Sequence, residues 1–290
     1  MRARRVAALI AFLGAVGVAV WLVSLALGEI RDIRRSEPAP ATTAAPPPPD
    51  PLRIVFPEGF TREEMAQRIT AVNEIAREER GVRPRLRARQ YLRLTRRHAL
   101  PGEFAEDGRP RQLEGFLFPA LYEFLPETTT RKLVDDQLAA FRRAWSELDL
   151  AYARSKNLTP YDVLIIASMI EKEAAVARER RLVAGVIYNR LRLGMPLGID
   201  ATIRYGLGVP GTESLRQSHL DSDNPYNTRN RAGLPPTPIA NPGLASLKAA
   251  ADPARTDFLY FLRMPNSQEH FFTASEAEFY RKSCEFGYGC

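Results

Sequence analysis

Residues 167–194 read ASMIEKEAAVARERRLVAGVIYNRLRLG. The first part completes an apolar helix. Thr159 ahead of Pro160 supplies an N-cap followed by a proline at the first helical position. Val163, Ile166, Ala167, Ile170 and Ala174 then recur on one face. Glu171 and Glu173 fall on opposite shoulders of that face, each about 80–100° from its centre at ~3.6 residues per turn. The helical wheel therefore does not separate them. Both stand near the C-terminal end, where the macrodipole does nothing for a carboxylate. A carboxylate half over an apolar face is desolvated, so its pKa rises, and a raised pKa suits a general acid near neutral pH. The competing reading pairs both glutamates with Arg178, Arg180 or Arg181 as ordinary surface ions. Beyond the arginine-rich connector, residues 182–193 form a second amphipathic helix. Leu182, Val183, Val186 and Leu191 point inward and Arg190 and Arg192 outward, with Gly194 at the C′ position. Tyr188 and Asn189 lie within it, in reach of a cleft.

The whole chain has 290 residues, 45% of them hydrophobic, enough for an ordinary core. Its net charge of +7 suits an anionic partner without choosing one. Two cysteines and three histidines, with no HExxH, leave no thiolate zinc site, and neither metal nor cofactor is expected.

Residues 6–28 carry no charge, and their length spans a ~30 Å hydrocarbon core as a helix. Arg2, Arg4 and Arg5 precede them, so the positive-inside rule leaves residues 1–5 in the cytoplasm and exports the rest. A cleaved signal peptide is the other reading, but its apolar region is usually only ~7–15 residues long. Export argues against nucleic acid as the anionic partner. Residues 29–51 are a juxtamembrane stub and a proline-rich linker, SEPAPATTAAPPPPDP at 36–51, reaching roughly 50 Å at most at ~3.1 Å per residue.

Residues 52–56 alternate as a short strand, 57–59 (PEG) turn, and Thr61 with Glu64 forms a capping box. Met65, Ile69, Val72 and Ile75 give the next helix its apolar face. This strand–turn–helix resembles half of a LysM-like module and is assigned to 52–112. Residues 77–97 are strongly basic, read as a solvated helical face or as a contact for wall polymer or lipid headgroups. EGFLFP at 114–119, with Tyr122 and Phe124, sets Glu114 beside aromatics, either as plain core or as one wall of a sugar cleft. Residues 130–148 form an amphipathic helix with Val134, Leu138, Phe141 and Trp145 inward.

The GxGxxG at 206–211 is not a dinucleotide site. Pro210 stands where a helix should wind, and no βαβ unit surrounds it. The loops 224–228 and 233–243 are rigid and turn-rich. A short helix at 246–251 and strands at 258–263 and 270–273 come next, the strands closing a hairpin. No GxSxG elbow or Ser–His–Asp set is present. Outside the cell Cys284 and Cys290 could close a small disulfide loop, free thiols being the alternative.

Taken in order, EGFLFP, residues 167–197, YNT at 226–228, GLPPTPIANPG at 233–243, and SLKAAADP followed by FLYFL at 246–262 resemble the endolytic murein transglycosylase (YceG-like) family. The resemblance covers about 113–274. With the features read above it gives an α+β protein: a membrane anchor, and a mixed helical/β catalytic domain at 113–283, with the proline-rich linker, the reduced LysM-like module and the Cys-containing tail at 284–290 as departures from the family pattern. It implies cleavage of nascent peptidoglycan glycan strands between N-acetylmuramic acid and N-acetylglucosamine, leaving 1,6-anhydro ends. The sugar's own C6 hydroxyl replaces water, so one glutamate serves as acid and then base. The resemblance points to Glu173, keeps Glu171 in reserve, and lines the cleft with Glu114, Tyr226 and Asn227; Tyr188, Asn189 and Asp200 are further cleft candidates. The plasma membrane and peptidoglycan synthases are the implied partners. Two departures stand out. Ala120-Leu121 replaces an acidic–threonine pair, and 198–202 reads Gly-Ile-Asp-Ala-Thr where the family has Gln-x-Asp-Pro-Thr. They motivate a glycan-binding scaffold as the alternative. A hydrolytic muramidase using Glu173 with Glu114 or Asp200 and water is another.

Overall fold

The structure is a computed structural model that describes residues 22–25, 50–96, 102–104 and 111–289. The expected span at 6–28 and the linker lie almost wholly outside these residues; residues 22–25 are helical. No helix among the described residues is long and apolar enough to cross a membrane. The chain divides into two units, Met1–Pro49 and Asp50–Cys290.

The second unit is α+β, mostly helical with two small antiparallel sheets. Strand β1 (Leu52–Val55) buries Leu52 and Ile54 and exposes Arg53 and Val55, the period-two pattern of a half-buried strand. It pairs with β2 (Leu121–Phe124), Leu52 opposite Phe124 and Val55 opposite Leu121. That pairing crosses the boundary drawn at 112/113, and Asp50–Cys290 packs as one compact unit. Helix α1 (Arg62–Arg80) starts on the expected Thr61–Glu64 capping box and ends at Gly81, φ 64°. It buries Met65 and Ile69, while Ile75, expected inward, is exposed. Residues 81–87 are not helical, so the basic stretch is not one helical face; helix α2 spans Ala88–Arg96.

Helix α3 (Thr130–Trp145) ends three residues before its expected limit and buries Val134, Leu138, Phe141 and Trp145. Phe104, Phe116, Phe141 and Trp145 pack ring against ring, with centroids 4.8–5.9 Å apart among them. After the short helix α4 (Ala151–Ser155), α5 (Pro160–Glu173) runs through the core, its residues from Val163 to Ile170 all buried. Thr159 and Asp162 complete a capping box at its start. A 3₁₀ turn (Ala177–Glu179) leads to α6 (Arg180–Leu193), which Gly194 closes in the left-handed region. Arg190 corrects the expected outward setting. Its guanidinium turns in and donates to the carbonyls of Leu259, Pro196 and Leu197.

Helices α7 (Asp200–Leu207), α8 (Gln217–Leu220) and α9 (Leu244–Ala251) come next in the chain. Strands β3 (Tyr260–Arg263) and β4 (His270–Thr273) form the expected hairpin. His270 locks it to the 3₁₀ turn: its backbone N–H and Nδ1 meet the two Glu179 carboxyl oxygens at 3.0 and 2.8 Å. Helix α10 (Glu276–Glu285) ends the fold. Cys284 on it is disulfide-bonded; the chain's other cysteine, Cys290, lies outside the described residues.

Candidate active site

The proline-rich loop 233–243 runs alongside α5 in the same direction. Pro238 packs on Gly115 and the Ile239 N–H donates to Ser168 Oγ at 3.0 Å. Asn241 then ties three segments together. Its Oδ1 accepts from the N–H groups of Gly115 and Leu117, and its Nδ2 donates to Phe60 O and Glu114 Oε1. At the end of the loop the Gly243 N–H donates to Glu171 Oε2 at 2.9 Å.

That last bond separates the two glutamates that helical geometry left equivalent. Glu171 is nearly covered, is held by Gly243, and lies 3.8 Å from the Arg180 guanidinium. Glu173, the last residue of α5, is half-buried. Among the described residues no hydrogen bond or ion pair holds its carboxyl. Burial pushes its pKa up to about 7, Asp200 adds to the rise, and Arg229 opposes it.

Asp200 starts α7, and Arg229 directly follows the YNT segment. Arg229 Nε donates to Asp200 Oδ1 at 2.6 Å. Both are set in place by residues of the motifs. Asn227 is fully buried; its Nδ2 donates to Leu220 O and Ser222 O, and its Oδ1 accepts from the Arg229 N–H. Thr228 Oγ1 accepts from the Ile199 N–H and meets Thr202 Oγ1 at 2.9 Å. Asn227 and Thr228 thus brace the loops that bring Arg229 and Asp200 toward Glu173.

The remaining sequence candidates divide. Tyr226 is half-buried, its ring 5.2 Å from that of Tyr205 and its hydroxyl 2.8 Å from Thr237 Oγ1. Glu114 is fully buried. It accepts from the Arg62 N–H, Asn241 Nδ2 and the Tyr205 hydroxyl. Burial raises its pKa to about 8 and Glu63 adds to the rise, against the Arg62 N–H, the Arg62 charge and Tyr205. It is an interior carboxyl beneath the aromatic pair rather than an open cleft wall. Tyr188 and Asn189 also serve the scaffold. The Tyr188 hydroxyl donates to Ala250 O, and Asn189 Nδ2 donates to Thr256 O and Phe258 O.

Sequence reasoning missed Arg229, Tyr205, Asn241 and Glu58. Glu58, in the 57–59 turn, rests its carboxyl on Gly243. Its pKa is raised by burial and by Glu171, against Arg180. Lys172 Nζ donates to Gly59 O at 3.2 Å and so docks that turn on the end of α5. A turn motif carries no hint of this, because the partners lie more than a hundred residues on. Among the described residues no group of three or more His, Cys, Asp or Glu side chains could hold a metal ion.

Residues 37–284 match the YceG-like family. The endolytic murein transglycosylase of Streptococcus pneumoniae (strain ATCC BAA-255 / R6) is 34% identical over 237 residues, 76% of this chain and 42% of the relative. That of Bacillus subtilis (strain 168) is 37% identical over 156 residues, 54% of this chain and 43% of the relative. The chain thus spans under half the length of these curated relatives. A crystal structure of a YceG-like protein from Listeria monocytogenes matches with a TM-score of 0.59 at 27% identity, over 80% of this chain and 75% of that one. With its motifs in order and most of its length matched, the chain belongs to the YceG-like family.

Proposed function

We propose that the protein is a membrane-tethered lytic transglycosylase that cuts nascent peptidoglycan glycan strands internally and leaves 1,6-anhydro-N-acetylmuramic acid ends. The observation that carries this reading is the Glu173 carboxyl, unbonded among the described residues, half-buried and near pKa 7. Such a group is protonated often enough at neutral pH to donate to the leaving glycosidic oxygen. Once ionised it is basic enough to take the C6 hydroxyl proton as that oxygen closes on the anomeric carbon. One group then fills both roles in turn, and no water is consumed. Positioned proton transfer of this kind contributes typically ~10²–10⁴-fold. The Asp200–Arg229 pair flanks Glu173 and tunes it, and Tyr226 and Tyr205 offer apolar faces for a sugar ring. Family membership and relatives named endolytic murein transglycosylase support the substrate class.

The uncharged run at 6–28 anchors this enzyme in the plasma membrane, with residues 1–5 in the cytoplasm and the folded unit outside, close to the synthases that make its substrate. Product analysis tests the reading. Anhydro ends from purified glycan strands, absent with Glu173→Gln, support it. New reducing ends point instead to a hydrolytic muramidase. Binding without cleavage points to a glycan-binding scaffold.

A further inference from the structure

The run RPRLRAR at 83–89 has an order in the structure that charge counting does not reveal. Gly81 stops α1, and residues 81–87 continue without helix or strand into α2. Along this stretch Pro84 and Leu86 are buried while Arg83, Arg85 and Arg87 are exposed. A period of two puts the three arginines on one side. Helix α2 continues the row. It buries Tyr91 and Thr95, so Arg89, Arg93 and Arg96 occupy its opposite, exposed face. Arg77 and Arg80, in the last turn of α1, extend the row at its other end.

The segment is firmly held. The Arg85 N–H donates to Pro126 O at 2.7 Å, the Arg87 N–H to Thr130 Oγ1 at 2.9 Å, and Asn73 Nδ2 to Leu86 O at 2.9 Å. Residues 77–96 hold eight arginines against two glutamates, Glu78 and Glu79, a surplus of six positive charges. The Arg87 guanidinium bonds back to Pro84 O and Leu86 O. The other seven guanidinium groups make no hydrogen bond or ion pair among the described residues. Seven unneutralised cations on a fixed row repel one another, and an anionic surface relieves that repulsion.

The place where the chain enters the folded unit favours a bilayer as that surface. Pro51, Leu52 and Arg53 line a groove with Ile75, Glu79 and Arg80, so the entry point abuts one end of the arginine row. Ile75 exposes an apolar side chain there. A tether of at most roughly 50 Å keeps this end close to the membrane, where even modest affinity per arginine acts at high effective concentration. We propose that the arginine row at 77–96 seats the folded unit on the anionic headgroups of the bilayer that anchors it. The proposal rests on the membrane-tethered reading of the function.

The test uses the full chain with Gln90→Cys on α2, carrying a fluorophore. The protein is placed in phosphatidylcholine vesicles, with or without phosphatidylglycerol, that contain an acceptor-labelled lipid headgroup. Energy transfer should rise when phosphatidylglycerol is present. It should fall back in ~0.5 M salt, where the screening length is only a few ångströms, and in the triple variant Arg83→Gln/Arg85→Gln/Arg89→Gln. The corresponding triple lysine variant keeps the charge and should keep the signal. Arg83, Arg85 and Arg89 are all exposed, and a thermal melt verifies the fold. At about fivefold per arginine near an anionic surface, the triple glutamine variant should lose roughly a hundredfold in affinity.

Flotation on pure phosphatidylcholine reports the anchor separately. If it fails there, the tethered reading fails, and flotation on phosphatidylglycerol vesicles with the same variants still tests the row. Equal transfer in both lipids, or transfer unchanged by the triple glutamine substitution, overturns the proposal. Retention on an anionic wall polymer that the triple variant loses, with a flat lipid signal, reassigns the row to that polymer.

Discussion

Arg229 Nε donates to Asp200 Oδ1 at 2.6 Å, and the two charges act in opposite senses on Glu173. Both side chains are nearly half exposed, 43% and 45%, so the pair adds little to stability. Its consequence is electrostatic and shows in the pH profile. Glu173 must begin protonated, so kcat/KM on glycan strands should fall as pH rises through about 7. Asp200→Asn removes a negative charge that disfavours Glu173 ionisation, lowering its pKa and moving the falling limb to lower pH. Arg229→Gln removes a positive charge that favours ionisation and should move the limb to higher pH. Shifts in the same direction for both variants, or none, would show that the pair does not tune this carboxyl.

Glu173→Gln and Glu171→Gln should differ in kind. Glu173→Gln removes the raised carboxyl at the last residue of α5 and should abolish cleavage, a loss of at least ~10²-fold, with a melting temperature no lower than that of the native chain. Glu171→Gln keeps an oxygen to accept from the Gly243 N–H but loses the charge near Arg180. It should retain most activity and lose about 1 kcal/mol of stability. An inactive, well-folded Glu171→Gln beside an active Glu173→Gln would exchange their roles. Rates and denaturation midpoints measured on the same preparations decide it.

Local chemistry made much of this fold readable before any contact was known. Thr159 and Pro160 start α5 as their types require, Gly194 ends α6, and the 258–273 pattern forms its hairpin, because each signal is complete within a few residues. What stayed hidden depends on partners far along the chain. Glu171 and Glu173 look alike until Gly243, seventy-two residues from Glu171, donates to one of them. Arg190 looked like a surface residue because the carbonyl of Leu259, sixty-nine residues on, cannot be inferred from helical periodicity. The partner of β1 is likewise set by packing, since alternation tells which face is buried but not which strand lies alongside.

Glu114 should make the fold less stable as pH rises. Its carboxyl is raised from 4.5 to about 8 in the folded chain. Between those values the folded state keeps a proton that the unfolded state has released. Stability therefore declines across that window, by up to about 1.4 kcal/mol per pH unit, and is lowest above pH 8. Glu114→Gln imitates the protonated acid. Its oxygen accepts from the Arg62 N–H and Asn241 Nδ2, and its amide can donate to the Tyr205 hydroxyl in a reversed bond. Urea titrations at pH 5, 6.5 and 8 should show a marked decline for the native chain and a shallower one for Glu114→Gln, the residual slope belonging to the other raised carboxyls, Glu173 and Glu58. Glu114→Ala strands three donors and should cost several kcal/mol, each buried donor left unpaired costing about 1–3 kcal/mol.

Two glycines contacted by the site make a contrasting pair. Gly115 has φ +90°, and a Cβ there would stand 2.8 Å from Pro238 Cβ and Cγ and 3.1 Å from Leu164 Cδ2. The backbone region excludes alanine and the neighbours are rigid, so neither strain can relax. Gly115→Ala should cost at least ~2 kcal/mol. Gly243 has an ordinary φ of −78°, and the nearest atoms to its Cβ would all belong to the Glu58 side chain, Oε1 at 1.8, Cδ at 2.2 and Cγ at 2.8 Å. That carboxyl ends an exposed, flexible side chain and can swing away at little cost. Gly243→Ala should therefore hold its melting temperature within a degree or two of the native chain, about 0.5 kcal/mol, while moving Glu58 off the end of α5. Comparable destabilisation of both variants would mean that the Glu58 carboxyl is as rigidly seated as Pro238. Activity lost in a stable Gly243→Ala, and matched by Glu58→Gln, would instead bring Glu58 into the working site.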